Sequence, residues 1–197
     1  MFGEEKMTTF APDLKTKLKK MKKLILSAVV LVAAIGANAQ TNSNGTAKAA
    51  ASKFGFSVGV EAAIPVGTFG DAYSFGIGGS AQGDIWVAPE LAITINAGYI
   101  NYSGKTIGGY KVPSVGVIPI MAGIKYKFAG SGVYASGQLG TGIFTGGGSS
   151  TSSFAYAPGI GYNFSKNVDA LLKYQAYSKN SSSLGSVGLR IAYTFGN

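Results

Sequence analysis

The chain has 197 residues, with 17 Lys and Arg against 8 Asp and Glu, and it contains neither histidine nor cysteine. Without cysteine there are no disulfide staples. Without either residue type, zinc and copper lose their usual ligands, and catalysis loses its commonest general base. The net charge of +9 is unevenly placed: residues 1–39 hold seven Lys and three acids, leaving ten basic and five acidic residues from Gln40 onward. Those are scattered, with no basic run after Lys23 and no concentrated patch with interleaved aromatics, so the pattern argues against nucleic-acid binding.

The N-terminal region reads as a secretory leader. Met21-Lys22-Lys23 is a basic start, Leu24 to about Ile35 is an apolar run, and Ala37-Asn38-Ala39 is a small-residue cleavage site before Gln40. That run is too short for a comfortable membrane span, which needs about 20 residues. The spacing therefore predicts a cleavable signal peptide with an N-terminal extension over 1–39, with Met1 and Met21 both available as start. A small polar linker follows over 40–53, and a single domain over 54–197.

From residue 54 onward the sequence alternates with a period of two and shows no helical periodicity. Eight strands are predicted, at 54–64, 74–87, 91–101, 116–128, 132–144, 154–164, 168–178 and 185–195. In the first, Phe54, Phe56, Val58, Val60, Ala62 and Ile64 share one parity; in the last, Val187, Leu189, Ile191, Tyr193 and Phe195 do. Successive strand residues point to opposite faces. Seven charged residues fall in these segments, Glu61, Asp84, Lys125, Lys127, Asp169, Lys173 and Arg190, and all seven take the parity opposite to the apolar one. One face is thus uncharged across eight segments, more than a small soluble core requires. It is the pattern of a sheet whose apolar face meets lipid, and in lipid an open sheet edge strands unpaired backbone groups, so the sheet must close.

The connections support closure with one orientation. Short links, Ala88–Glu90, Ala129–Ser131 and Ser165–Asn167, alternate with longer ones, Pro65–Tyr73, Tyr102–Val115, Thr145–Ser153 and Lys179–Leu184. An even strand count with short periplasmic turns and longer outer loops is the outer-membrane barrel rule. Phe54, Phe56, Tyr126, Phe128, Tyr162, Phe164, Tyr193 and Phe195 are expected to form an aromatic girdle at the periplasmic end. Pro119 and Pro158 lie inside strands and each removes a ladder donor; the reading places both near the outer rim, where strands overrun the membrane.

With these residues in hand, the chain resembles the small outer-membrane β-barrel or "porin family" proteins abundant in Bacteroidetes, related in architecture to the OmpX and OmpA barrels. The resemblance covers residues 54–197 and rests on three stretches: Ile64-Pro-Val-Gly-Thr-Phe-Gly-Asp-Ala-Tyr73, Ala97-Gly-Tyr-Ile-Asn-Tyr102 and Ile118-Pro-Ile-Met-Ala-Gly-Ile-Lys-Tyr126. It implies an all-β, eight-stranded antiparallel up-and-down transmembrane barrel in the outer membrane of a Gram-negative bacterium. It also implies a monomer whose partners are membrane lipid and lipopolysaccharide. The ending Gly188-Leu-Arg-Ile-Ala-Tyr-Thr-Phe195 looks like the C-terminal signal that the barrel-assembly machinery reads, although Gly196-Asn197 follow the aromatic residue. No peptidoglycan-anchoring domain is expected after the barrel.

Function is less legible. Enzymatic barrels of this kind generally use a histidine, no loop pairs two carboxylates, and the loops offer calcium only Asp71, so neither catalysis, nor a cofactor, nor a metal is expected. The stretch Gly76-Ile-Gly-Gly-Ser-Ala81 mimics a dinucleotide fingerprint, but no helix follows it. The seven inward charges read as an ion-pair network filling the lumen, because eight-stranded barrels are just wide enough for side chains to fill. The alternative is a narrow passive pore, favoured by small inward residues such as Gly55, Gly59, Gly76, Gly142 and Gly161. Lys105, Tyr110 and Lys111 form a possible surface-binding loop.

Overall fold

The computed structural model describes residues 53–146 and 149–195. The predicted leader, the choice of start and nearly all of the linker fall outside the described residues. Eight long strands carry the fold: β1 (Phe54–Val66), β2 (Tyr73–Trp86), β3 (Leu91–Gly104), β6 (Val115–Lys127), β7 (Val133–Gly146), β8 (Ser149–Asn163), β9 (Val168–Lys179) and β10 (Ser182–Phe195). A short helix α1 (Thr68–Ala72) fills the first outer connection, and a small hairpin of β4 (Thr106–Ile107) and β5 (Tyr110–Lys111) rises from the second. Every long strand pairs antiparallel with its sequence neighbour, and β1 pairs with β10 to close the barrel.

The register fixes the barrel's shape. Followed across β7, β6, β3 and β2, the partner of Pro158 on β1 is Phe54; followed the other way, across β9 and β10, it is Ile64. The stagger around the ring is therefore ten residues. At about 3.3 Å per residue and about 4.8 Å between strands, that stagger tilts eight strands by about 41°.

The distribution of side chains is the reverse of a water-soluble protein. Glu61, Asp84, Lys125, Asp169, Lys173 and Arg190 are buried, while Val60, Ile64, Ile77, Leu139 and Ile160 are each more than half exposed. In water, leaving such aliphatic area uncovered forfeits about 25 cal/mol per Å²; in hydrocarbon the same face is at home. The expected girdle is present at the end carrying Phe54 and Phe195, with Phe56 stacked on Phe195 and edge contacts in Tyr126–Phe128, Tyr162–Phe164 and Tyr193–Phe195. A second outward set, Phe75, Tyr99, Phe154, Tyr156 and Tyr174, sits toward the other end, so aromatics border the apolar band on both sides.

Three sequence expectations change. The stretch 145–153 is not a long loop: β7 and β8 run on to Gly146 and Ser149, leaving only two residues between them. Likewise 179–184 tightens to a two-residue turn, with Asn180 (φ 48°) and Ser181 (φ 64°) both left-handed, as a type I′ hairpin requires. Short and long connections therefore do not alternate strictly. Pro158 is also not at the rim. It lies midway along β8 between the girdle residues Tyr162 and Phe154, facing outward. Each proline is accommodated by an interruption on one side only. The β3–β6 ladder lapses between Ala97↔Ile120 and Ile100↔Val117, and the β8–β9 ladder between Tyr156↔Ala176 and Gly159↔Lys173. Pairing with β7 continues through both, at Pro119↔Gly142 and Gly137↔Pro158.

Candidate functional site: the lumen and its two mouths

Inward parity on eight strands brings residues that are far apart in sequence across a narrow interior. Lys173 on β9 meets Glu61 on β1 at 2.8 Å, and Lys125 on β6 meets Asp84 on β2 at 3.2 Å. Asp169 on β9 accepts a short hydrogen bond from the Tyr134 hydroxyl on β7, and the Lys125 ammonium lies over the ring of that tyrosine at 4.3 Å. Arg190, 2% exposed, meets hydroxyls rather than a carboxylate: its Nε donates to Ser80 Oγ at 2.8 Å and its Nη2 to Ser57 Oγ at 3.0 Å. Neutral amides join the paired charges. Gln82 donates to Asp84 at 2.8 Å, and Gln138 donates to Gln82 Oε1 and Thr94 Oγ1.

Lys127 stands apart from these six. It ends β6 at the girdle mouth, half-buried, with its ammonium 4.1 Å from the centre of the Trp86 ring. The sequence placed all seven charges on one face, but which of them pair depends on the registers of β9–β10–β1 and of β6–β3–β2. Those registers are properties of strand pairs and not of any one strand.

Above the charged layers the interior turns apolar. Ala63, Ile100, Val117, Met121, Ala155, Ala157 and Tyr177 pack with Phe69, which α1 lowers into the outer mouth. Phe69 is 2% exposed and packs its ring against Tyr73 at 5.0 Å and edge-on against Tyr102 at 4.8 Å. Sequence reasoning placed Phe69 in a loop and gave it no role; the signal was a lone aromatic between Gly67 and Gly70 where a solvated loop has no use for one. Gly67 takes φ +60°, and a Cβ on Gly70 would come within 2.8 Å of the Pro65 carbonyl, so both glycines serve the sharp turn that brings Phe69 inward.

Lys105 holds this stopper. Its Nζ donates to the Gly70 carbonyl at 2.6 Å and its backbone N–H to Ala72 at 2.9 Å. The three loop residues expected to act together are therefore divided. Lys105 latches α1, whereas Tyr110, 84% exposed, and Lys111 belong to the β4–β5 hairpin that Gly108 and Gly109 turn with positive φ.

Four of the five small inward glycines named above sit against bulky side chains, whereas a Cβ on Gly55 would meet only Thr194 at 3.5 Å and Asp84 at 3.9 Å. A Cβ on Gly161 would run into the Tyr134 ring, one on Gly142 into Tyr177, and one on Gly76 into Tyr102 at 2.6 Å; one on Gly59 would crowd the Arg190 Nε at 3.1 Å. Each of these four glycines is a seat for a bulky neighbour.

A closed eight-stranded barrel with an apolar, aromatic-bordered outside and its charges inside defines a small outer-membrane β-barrel protein. Within that class, the sequence profile described as "Putative MetA-pathway of phenol degradation" matches residues 8–195, and the chain belongs to that family. Solved structures of the same class superpose on it. The N-terminal β-barrel domain of Pseudomonas aeruginosa OprF matches with TM-score 0.53 and 13% identity, over 73% of this chain and 99% of that one. The Yersinia pestis outer membrane protein Ail in a phospholipid nanodisc matches with TM-score 0.54 and 16% identity, over 73% of this chain and 100% of that one. Ail bound to the heparin analogue sucrose octasulfate gives TM-score 0.52 and 17% identity, over 73% and 99%. At such identities the likeness is one of fold. No curated protein matches the chain in sequence.

Proposed function

We propose that this protein is a sealed outer-membrane barrel with a structural and surface-presenting role, and that it is neither a catalyst nor a solute channel. The observation that carries this reading is the inward packing of Tyr134, Tyr102 and Arg190 over glycines of neighbouring strands and of Tyr177 over Gly142, with Phe69 buried above them. Charged groups at these positions belong inside, since Lys or Arg at the lipid midplane costs about 2–4 kcal/mol. The family description refers to a pathway; this chain, with no histidine and no cysteine, is assigned no reaction in it. On this reading the barrel is a monomer delivered by the barrel-assembly machinery. Its β4–β5 hairpin, carrying Tyr110 and Lys111 beyond the membrane, is the element offered to lipopolysaccharide phosphates or to another surface.

Liposome swelling tests the sealed lumen. Proteoliposomes of the folded protein are expected to swell in isotonic arabinose no faster than empty ones, with cold and boiled gel mobilities confirming the fold. Swelling that slows when Lys125 or Lys127 is enlarged to Arg would establish the narrow-pore alternative instead. For the hairpin, Tyr110→Ser together with Lys111→Gln should reduce lipopolysaccharide binding to folded protein while leaving gel mobility unchanged. Undiminished binding would remove the hairpin from the account.

A further inference from the structure

Pro119 and Pro158 each interrupt one ladder, and the direction of the backbone groups around Pro158 shows what its interruption removes. On β8 the Asn163 N–H is bonded to Gly132 on the β7 side, and the Phe164 N–H to Val168 on the β9 side. Strand backbone groups alternate in direction, so Pro158 faces β9. On β9 the Gln175 carbonyl accepts from Ser186 on β10 at 3.4 Å, so the Tyr174 carbonyl faces β8. The lapsed pairs, Ala157 with Gln175 and Pro158 with Tyr174, lie between Tyr156↔Ala176 and Gly159↔Lys173 with no change of register. The break is therefore not a bulge. It is a point where the Tyr174 carbonyl is aimed at a residue with no N–H to give.

A second acceptor sits at the same break. Gln175 is 1% exposed and points into the lumen. Its Nε2 donates to the Tyr177 hydroxyl, while its Oε1 has no hydrogen-bond partner among the described residues. Across from it Ala157 presents only a methyl group. At the β3–β6 break the corresponding orphan, Asn96 Oδ1, belongs to the intact pair Asn96↔Met121, two residues from Gly98. Among the described residues, the β8–β9 break alone joins a carbonyl short of a donor to an orphaned side-chain oxygen on the next residue.

We propose that the β8–β9 break binds one water molecule, which donates one hydrogen to the Tyr174 carbonyl and the other to Gln175 Oε1. A strand carbonyl at membrane depth has no bulk water to turn to, so its partner comes from the protein or from bound water. Both groups accept and neither donates, which calls for a small double donor. A divalent cation would need about six oxygen ligands, and the break supplies two. The inference rests on the transmembrane placement of β8 and β9 and not on whether the lumen conducts. It gives Pro158 a role: by withholding one N–H, it keeps a water in the wall.

The test is a crystal structure of the full chain grown from lipid, at a resolution that shows ordered water on the loops. The expected result is one water within about 3.2 Å of both the Tyr174 carbonyl oxygen and Gln175 Oε1. Pro158→Ala restores the missing N–H, and the water is expected to be lost as the pairing with Tyr174 closes. Pro119→Ala, at the other break, should leave it in place. In phospholipid nanodiscs the same water should transfer magnetisation to the Tyr174 N–H and not to the Leu172 N–H, whose pair with Ile160 is intact. A native break without water, or silence at the Tyr174 N–H, would overturn the proposal. So would a Gln175 amide turned so that Oε1 accepts from Tyr177, or a water that survives Pro158→Ala unchanged.

Discussion

Replacing Lys173 with Met is expected to lower barrel stability by about 3–5 kcal/mol, the usual cost of removing one partner of a buried pair and leaving the other charged. The carboxylate left behind loses its one ion pair among the described residues. Glu61 is 3% exposed, its Oε1 has no hydrogen-bond partner, and its Oε2 is held by Lys173 at 2.8 Å. Arg190 lies near enough to act on it electrostatically, but its Nε and Nη2 bonds go to Ser80 and Ser57 and it forms no ion pair with Glu61 among the described residues. For this reason Lys173, and not Arg190, is the sharper probe of the network. The readout is urea unfolding followed by the shift from folded to unfolded gel mobility. The double variant Glu61→Gln with Lys173→Met should recover most of the loss, because replacing both partners is often close to neutral. Unchanged stability in Lys173→Met would mean that the pair is screened by water in the lumen, contrary to a sealed interior.

Tyr134→Ala should have an effect of the same size. The ring occupies the space over Gly161, supports the Lys125 ammonium on its face, and ends in the hydroxyl that binds Asp169. Removing it leaves both a cavity and a buried carboxylate without its donor, and a large aromatic cut to alanine costs about 3–5 kcal/mol on packing alone. Tyr134→Phe separates the two contributions. It keeps the ring and loses only the bond to Asp169, for which about 1–3 kcal/mol is expected. Equal losses in the two variants would place all the energy in the hydrogen bond and none in the seating of the ring against Gly161.

The strands were legible because lipid and a filled lumen impose opposite demands on alternate residues. That alternation located all eight long strands to within a few residues, except where they leave the membrane. Beyond the outer aromatics, Ser149–Ser153 no longer has one face in lipid and the other in a packed core, so the period-two signal vanishes while the backbone pairing continues. The parity of the seven charges was equally legible, since none of them tolerates the lipid face. Their pairing was not. Arg190 is the direct register partner of Glu61 across β1 and β10, yet its Nε and Nη2 go to Ser80 and Ser57 while Lys173, one strand further on, holds the carboxylate, and no parity signal distinguishes these outcomes. The inward glycines read two ways in sequence, as open space or as seats, and only the positions of Tyr102, Tyr134 and Tyr177 distinguish these. Phe69 and Lys105 were obscured for a further reason. A loop that folds back into a barrel mouth is held by contacts with no sequence period at all.

Planar-bilayer recording of the refolded protein, with folding verified by heat-modifiable gel mobility, tests the sealed charged lumen most directly. The expected result is a folded barrel that stays silent under applied voltage, both as the native chain and as Lys105→Ala, in which only the latch on the Phe69 stopper is removed and the charged layers beneath remain. Discrete conductance steps in the native chain, shifting in size when Lys125 or Arg190 is neutralised, would contradict it and show that ions pass along the inward charges.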